Sequence, residues 1–190
     1  MTQLGIGLSL ANYLEDALSV QQVQLAMLRR VGASEENLLV VQTNLAGTYV
    51  GLGRLEEALR MRRGVYYGCM KLYGEEHART ITVADNFAVS LNGLRRFEEA
   101  KKLLRKTIPV ARRVLGESNK GTLRVRWSYA IALYDDPNST LDDLGEAVTT
   151  IEETGQIARR VLGATNPDTV GIERWLQQAR TVLRAREPKK

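Results

Sequence analysis

His77 is the only histidine in the chain and Cys69 the only cysteine. Hydrolytic or transfer chemistry needs a nucleophile beside a base, clustered carboxylates, or a glycine loop that cradles phosphate. One imidazole supplies half of such a pair. The adjacent acids Glu56-Glu57 and Glu98-Glu99 recur 42 residues apart and read as helix starts, where acids complement the helix dipole. Gly51-Leu52-Gly53-Arg54 carries the glycines of a phosphate loop but joins two helical segments instead of a strand and a helix. His77 follows Gly74-Glu75-Glu76 where a helix opens, and reads as a capping or loop-packing residue. Cys69 stands where the chain otherwise has the small apolar Ala111 and Ala158, so it reads as a core residue. No zinc site of familiar spacing can be assembled from this set. The expectation is a protein that is not an enzyme and uses no cofactor or metal.

A second group of residues points to recognition. Arg124, Trp127, Ile131 and Tyr134 lie three to four residues apart, which puts them on one face of a helix. That face is not the apolar stripe of Leu123, Tyr129, Ala130 and Leu133. Arginine, tryptophan and tyrosine are the types that dominate binding hot spots. Such side chains work only when rigid elements hold them.

Those elements come from a repeat. Gly32, Gly74 and Gly116 stand 42 residues apart, and Gly163 follows 47 further on. Asn44-Leu45-Ala46 recurs as Asn86-Phe87-Ala88 and as Ser128-Tyr129-Ala130. Gly53-Arg54-Leu55-Glu56-Glu57-Ala58 recurs as Arg95-Arg96-Phe97-Glu98-Glu99-Ala100. A period of this size implies stacked supersecondary units. Within one unit, Ala84, Phe87, Ala88, Leu91 and Leu94 form one helical stripe; Phe97, Ala100, Leu104, Thr107, Ile108, Ala111, Val114 and Leu115 form the next. The pattern predicts antiparallel helix pairs, each closed by a glycine. The expected organisation is an N-terminal helix and incomplete or capping repeat over 1–32, and repeats over 33–74, 75–116 and 117–163. The last carries a five-residue insertion around Asp135-Asp136-Pro137-Asn138-Ser139. A capping helix and basic tail fill 164–190.

Composition narrows the class of partner. Apolar residues make up 44% of the 190 and aromatics 6%, and the net charge is +5. Lys101, Lys102, Arg105, Lys106, Arg112 and Arg113 concentrate on one helix and read as a solvated face, so nucleic acid is not the expected partner. No apolar run approaches the ~18 residues of a membrane span. The first residues lack a basic n-region, so no signal peptide is expected and the setting reads as cytoplasmic. The N-terminal helix, about Leu8 to Arg30, has neither a clear first partner nor a clean polar face. That makes a homo-oligomer through this helix the alternative function.

The run Gly74-Glu75-Glu76-His77, Asp85-Asn86-Phe87-Ala88, Arg96-Phe97-Glu98-Glu99-Ala100 and Val114-Leu115-Gly116 resembles the tetratricopeptide repeat. More narrowly, it is similar to the 42-residue form found in kinesin light chains. Gly163-Ala164-Thr165-Asn166-Pro167-Asp168-Thr169 matches that form's L-G-x-x-H-P-D-T phrase, with Asn166 for histidine. The pattern is departed from at Ala78-Arg79, at Ser128 and at the insertion. The resemblance covers about residues 32 to 180 and implies an all-α, tetratricopeptide-type α-α superhelical solenoid. It further implies a concave groove, lined by the first helix of each pair, that takes an extended protein or peptide segment.

Carried onto this sequence, the groove positions are Val40, Thr43, Gly47 and Val50, then Thr82, Asp85, Val89 and Asn92, then Arg124, Trp127, Ile131 and Tyr134. The terminal helix adds Gly171, Arg174 and Gln178. Asp85 and Asn92 are expected to hydrogen-bond a peptide backbone or basic side chain, and Arg174 a carboxylate. Two points stay open. Asn44 and Asn86 either contact a peptide backbone or hydrogen-bond a neighbouring helix. Trp127 either faces the groove or fills space against the terminal helix near Trp175.

Overall fold

A computed structural model of the chain describes residues 13–186, which form eight α-helices and no strand. These are α1 (Leu14–Arg30), α2 (Glu35–Gly51), α3 (Leu55–Tyr73), α4 (Ala78–Gly93), α5 (Phe97–Leu115), α6 (Lys120–Tyr134), α7 (Leu141–Leu162) and α8 (Pro167–Arg186). The chain divides into two compact units, Met1–Leu94 and Arg95–Lys190, so α1–α4 belong to the first and α5–α8 to the second. Within each unit, every helix packs on the helices that precede and follow it in the chain. The N-terminal helix expected from about Leu8 starts at Leu14, and residues 8–12 lie outside the described residues.

The glycine punctuation has a conformational cause. Gly74, Gly116 and Gly163 close α3, α5 and α7 with φ of 81°, 92° and 92° and ψ of 175°, 154° and 157°. That is a region in which a Cβ would clash, so glycine is close to obligatory there. One turn breaks the rule. Gly53 has φ of 71°, but Arg95, its counterpart 42 residues on, holds φ of 58° without being a glycine.

Helix starts follow two recipes. Ser34, His77 and Asn119 cap α2, α4 and α6 by accepting from the N–H of Asn37, Arg79 and Gly121. Thr140 and Asp143 form a reciprocal capping box on α7. The second recipe serves α3 and α5, which have no side-chain cap. Glu57 and Glu99 there pair with Arg54 and Arg96 at 2.8 and 2.6 Å. The paired acids thus sit in first turns, as their spacing indicates.

Each unit has its own core. Leu18, Leu25, Val41 and Leu45 form one cluster of the first unit, and Leu39, Val65, Cys69 and Val83 another. In the second unit Leu104, Leu133, Leu144 and Ile151 are fully buried. Ala46, Ala58, Ala88, Ala100, Ala130 and Ala147, the small residues of the repeat, are all buried. A larger side chain at any of them would overpack a helix contact, at a cost of ~1–3 kcal/mol.

Two charged residues are deep in the second unit. Lys101, read from sequence as part of a solvated face, is 4% exposed and pairs with the equally buried Asp136 of the insertion at 2.8 Å. Its ammonium also pairs with exposed Glu98. Burial opposes ionisation of both groups. Contact with Asp136 and Glu98 nevertheless holds Lys101 above its ordinary value, and contact with Lys101 and the Asn138 N–H holds Asp136 below its own. Arg126 is 2% exposed, its guanidinium 2.8 Å from Glu117 and 2.6 Å from Glu153.

Candidate binding surface

In the first unit the candidate residues come from α2 and α4. Val40, Gly47 and Val50 are exposed on α2, with Thr43 and Asn44 half-buried; Thr82 and Val89 are exposed on α4, with Asn86 and Asn92 half-buried. Asp85 is 1% exposed, so its carboxylate belongs to the interior of α4's packing rather than to the open face. The Thr43 hydroxyl is turned onto its own helix, donating to the Leu39 carbonyl at 2.7 Å.

Where α2, α3 and α4 meet is a cavity of ≈ 130 Å³ lined by Thr43, Gly47, Arg62, Val65, Val83 and Asn86. Gly47 lies one helical turn beyond Thr43, and a Cβ added there would meet nothing within 4 Å. The missing side chain leaves this side of the notch open. Val65 and Val83 are buried and give it an apolar floor. Arg62, from α3, closes one side: its Nη1 donates to the Asn86 carbonyl at 2.7 Å and to the Ser90 hydroxyl at 3.0 Å. The cross-helix bond at Asn86 is therefore made by its backbone, while the residue also lines the cavity.

In the second unit the candidates come from α6 and α8. Arg124, Arg174 and Gln178 are exposed, whereas Trp127, Ile131 and Tyr134 are half-buried. The indole of Trp127 lies against α8: a Cβ at Gly171 would stand 3.0 Å from its Cη2 and 3.5 Å from its Cζ2. Its Nε1 is buried with no acceptor among the described residues. Tyr134 meets Trp175 edge-on, with ring centroids 5.3 Å apart. The aromatic groups on α6 thus pack largely against the last helix and leave the arginines at the surface.

Sequence reasoning missed Arg62, Lys101 and Arg126. Arg62 and Lys101 occupy positions where the repeat elsewhere places an apolar residue, Leu104 and Ile151 for Arg62 and Leu59 and Val148 for Lys101. For these two, a charge that breaks an apolar register was the available signal. Arg126, whose counterparts are Gln42 and Ala84, carried no such signal.

Among the described residues no group of three or more His, Cys, Asp or Glu could hold a metal ion, and no helix is long and apolar enough to cross a membrane. On basic α5, Lys101 is buried in its ion pairs and Arg112 pairs with Glu117 at 2.9 Å. Arg105 donates to the Tyr129 hydroxyl, which donates in turn to Glu146. Cys69 is buried, and burial pushes its thiol above the ordinary range.

No curated protein matches the chain in sequence. Residues 34–113 match the tetratricopeptide repeat family. Two crystal structures of the nearly identical TPR-like repeats of a Podosopora anserina protein, designated a kinesin light chain, superpose with TM-scores of 0.82 and 0.80. Each is 19% identical and covers 98% of this chain and 86% of its own. The crystal structure of BtubC (BKLC) from P. vanneervenii matches with a TM-score of 0.66 at 15% identity, over 98% of this chain and 81% of that one. At such identities the likeness is one of fold. The described residues are all helical, residues 34–113 match the tetratricopeptide repeat family, and the fold resembles that of these kinesin-light-chain-like repeats.

Proposed function

We propose that the chain is a protein-binding scaffold with no catalysis of its own, built from repeats over 33–74, 75–116 and 117–163 and acting in the cytoplasm. Tetratricopeptide repeats commonly mediate protein–protein interaction, and this one takes an extended segment of its partner along the exposed face of α2 and α4. The observation that carries the reading is the notch at Gly47. At ≈ 130 Å³ it is well below the ~300–1,000 Å³ of small-molecule sites and suits one aliphatic side chain. Its apolar floor fits that anchor. Thr43 and Asn86 at the rim fit the polar backbone of the same segment. In the second unit Arg124, Arg174 and Gln178 are placed to meet acidic or polar groups.

The test is a peptide-array titration of the wild type beside Gly47→Phe. A phenyl group at this open position fills the notch without disturbing the core, so the melting temperature should hold while affinity falls at least about tenfold, ~1.4 kcal/mol. A Gly47→Phe protein that binds like the wild type, or a wild type that binds no extended peptide, overturns the reading.

A further inference from the structure

The outer face of α1 has an order that the peptide-binding reading does not use. The helix buries Ala17, Leu18, Gln21 and Leu25 on its inner side, toward α2. On the other side Asp16, Ser19, Val23, Ala26 and Arg30 are all exposed. Their steps of three, four, three and four residues form a single straight seam of the kind that pairs helices. Its centre is small and apolar. Val23 is 55% exposed and Met27, beside the seam, 52%; Val31 just past the helix is 72% exposed. Its ends are oppositely charged, with Glu15 and Asp16 in the first turn and Arg29 and Arg30 in the last. Among the described residues neither Asp16 nor Arg30 has an ion-pair partner.

We infer that α1 is a self-association surface, and that its occupant is α1 of a second copy of this chain, running antiparallel about Val23. The seam is self-complementary in that arrangement alone. Val23 meets the partner's Val23, Ser19 meets the partner's Met27, and Asp16 meets the partner's Arg30, each contact made twice by the two-fold symmetry. A parallel pair would put acid on acid and base on base. Acids at the start and bases at the end of a helix also complement its own dipole. That effect explains the charges but gives no reason for the exposed apolar centre between them. The small side chains of Ser19 and Ala26 permit close approach of the two backbones. The interface is small, so association is weak and concentration-dependent.

Sedimentation velocity over a wide concentration series of the full chain provides the test. The wild type should shift from monomer to dimer. Val23→Glu should raise the dissociation constant at least about tenfold, and so should Asp16→Arg and Arg30→Glu singly. The double variant Asp16→Arg/Arg30→Glu should dimerise again, although its charges now oppose the helix dipole. Geometry gives a second reading. Val23→Cys should oxidise to a linked dimer, whereas Asp16→Cys alone should not, because residues 16 of the two copies would lie ~21 Å apart at 1.5 Å per residue. A wild type that is monomeric at every concentration overturns the inference. So does a dimer indifferent to Val23→Glu, or a charge swap that fails to restore association.

Discussion

Arg126 carries a guanidinium into the interior of the second unit and meets two carboxylates that remain half exposed. The Coulomb energy of each pair is screened by water on the acid's side, so neither pair alone contributes more than about 1 kcal/mol. Removing both acids is a different matter, because a buried cation is left uncompensated. Glu117→Gln and Glu153→Gln should each shift the urea midpoint little, and the double variant should lose more than their sum, on the order of 3 kcal/mol. Arg126→Ala loses packing as well as charge and should cost about as much, with Arg126→Met recovering part through its stem. Additive single effects in the urea titration would show that the acids act independently of the buried charge. Arg126, Arg62 and Lys101 also show where sequence legibility ended. Apolar stripes, glycine stops and the burial of Cys69 were readable because each depends on a residue and its near neighbours. The pairs Lys101–Asp136 and Arg62–Asn86 span 35 and 24 residues, a separation at which helical periodicity specifies no partner. The notch at Gly47 likewise required three helices to be in place, and Trp127 could be assigned its neighbour only once its indole was seen against Gly171 of α8.

At the scale of the element, the insertion after α6 is held by its own fastenings. Asp136 pairs with Lys101 of α5, its other oxygen accepts from the Asn138 N–H at 2.9 Å, and the Ser139 hydroxyl donates to the Leu133 carbonyl. Arg186, at the end of α8, donates to the Ser139 carbonyl at 3.0 Å. Five extra residues are thereby accommodated without losing the stop of α6 or the capping box of α7. Lys101→Met should destabilise the protein by ~3 kcal/mol, since it strands a buried carboxylate; adding Asp136→Asn should recover most of the loss. The pH profile follows from the directions of the shifts. Asp136 titrates below its ordinary 3.8, so its contribution is full above that value and is lost as pH falls through the lowered one. Lys101 titrates above its ordinary 10.5, so its contribution is full below that value and is lost as pH rises through the raised one. The gap in melting temperature between wild type and Lys101→Met/Asp136→Asn should be constant between these limits and shift toward the double variant below pH 3.8. A gap that first moves near neutrality would place the controlling group elsewhere.

At the scale of the whole molecule, each compact unit supplies a different resource. The first presents the Gly47 notch and the α1 seam, and the second presents exposed arginines over an aromatic contact between α6 and α8. A repeat array derives its stability from neighbouring helices, so opening can occur in one stretch while another stays folded. Cys69 makes that opening observable. It is the chain's one thiol, fully enclosed in the first unit by Leu39, Val65 and Val83. A thiol reagent can reach it only when α3 separates from its neighbours, so the labelling rate is a clock for that event. In dilute urea the clock should run faster for variants that loosen the first unit. For Arg126→Ala, whose damage lies in the second unit, it should keep wild-type time if the two units open independently. Native protein thus carries a chemical hourglass at residue 69, one that reports where a strained chain gives way before it has lost its overall fold.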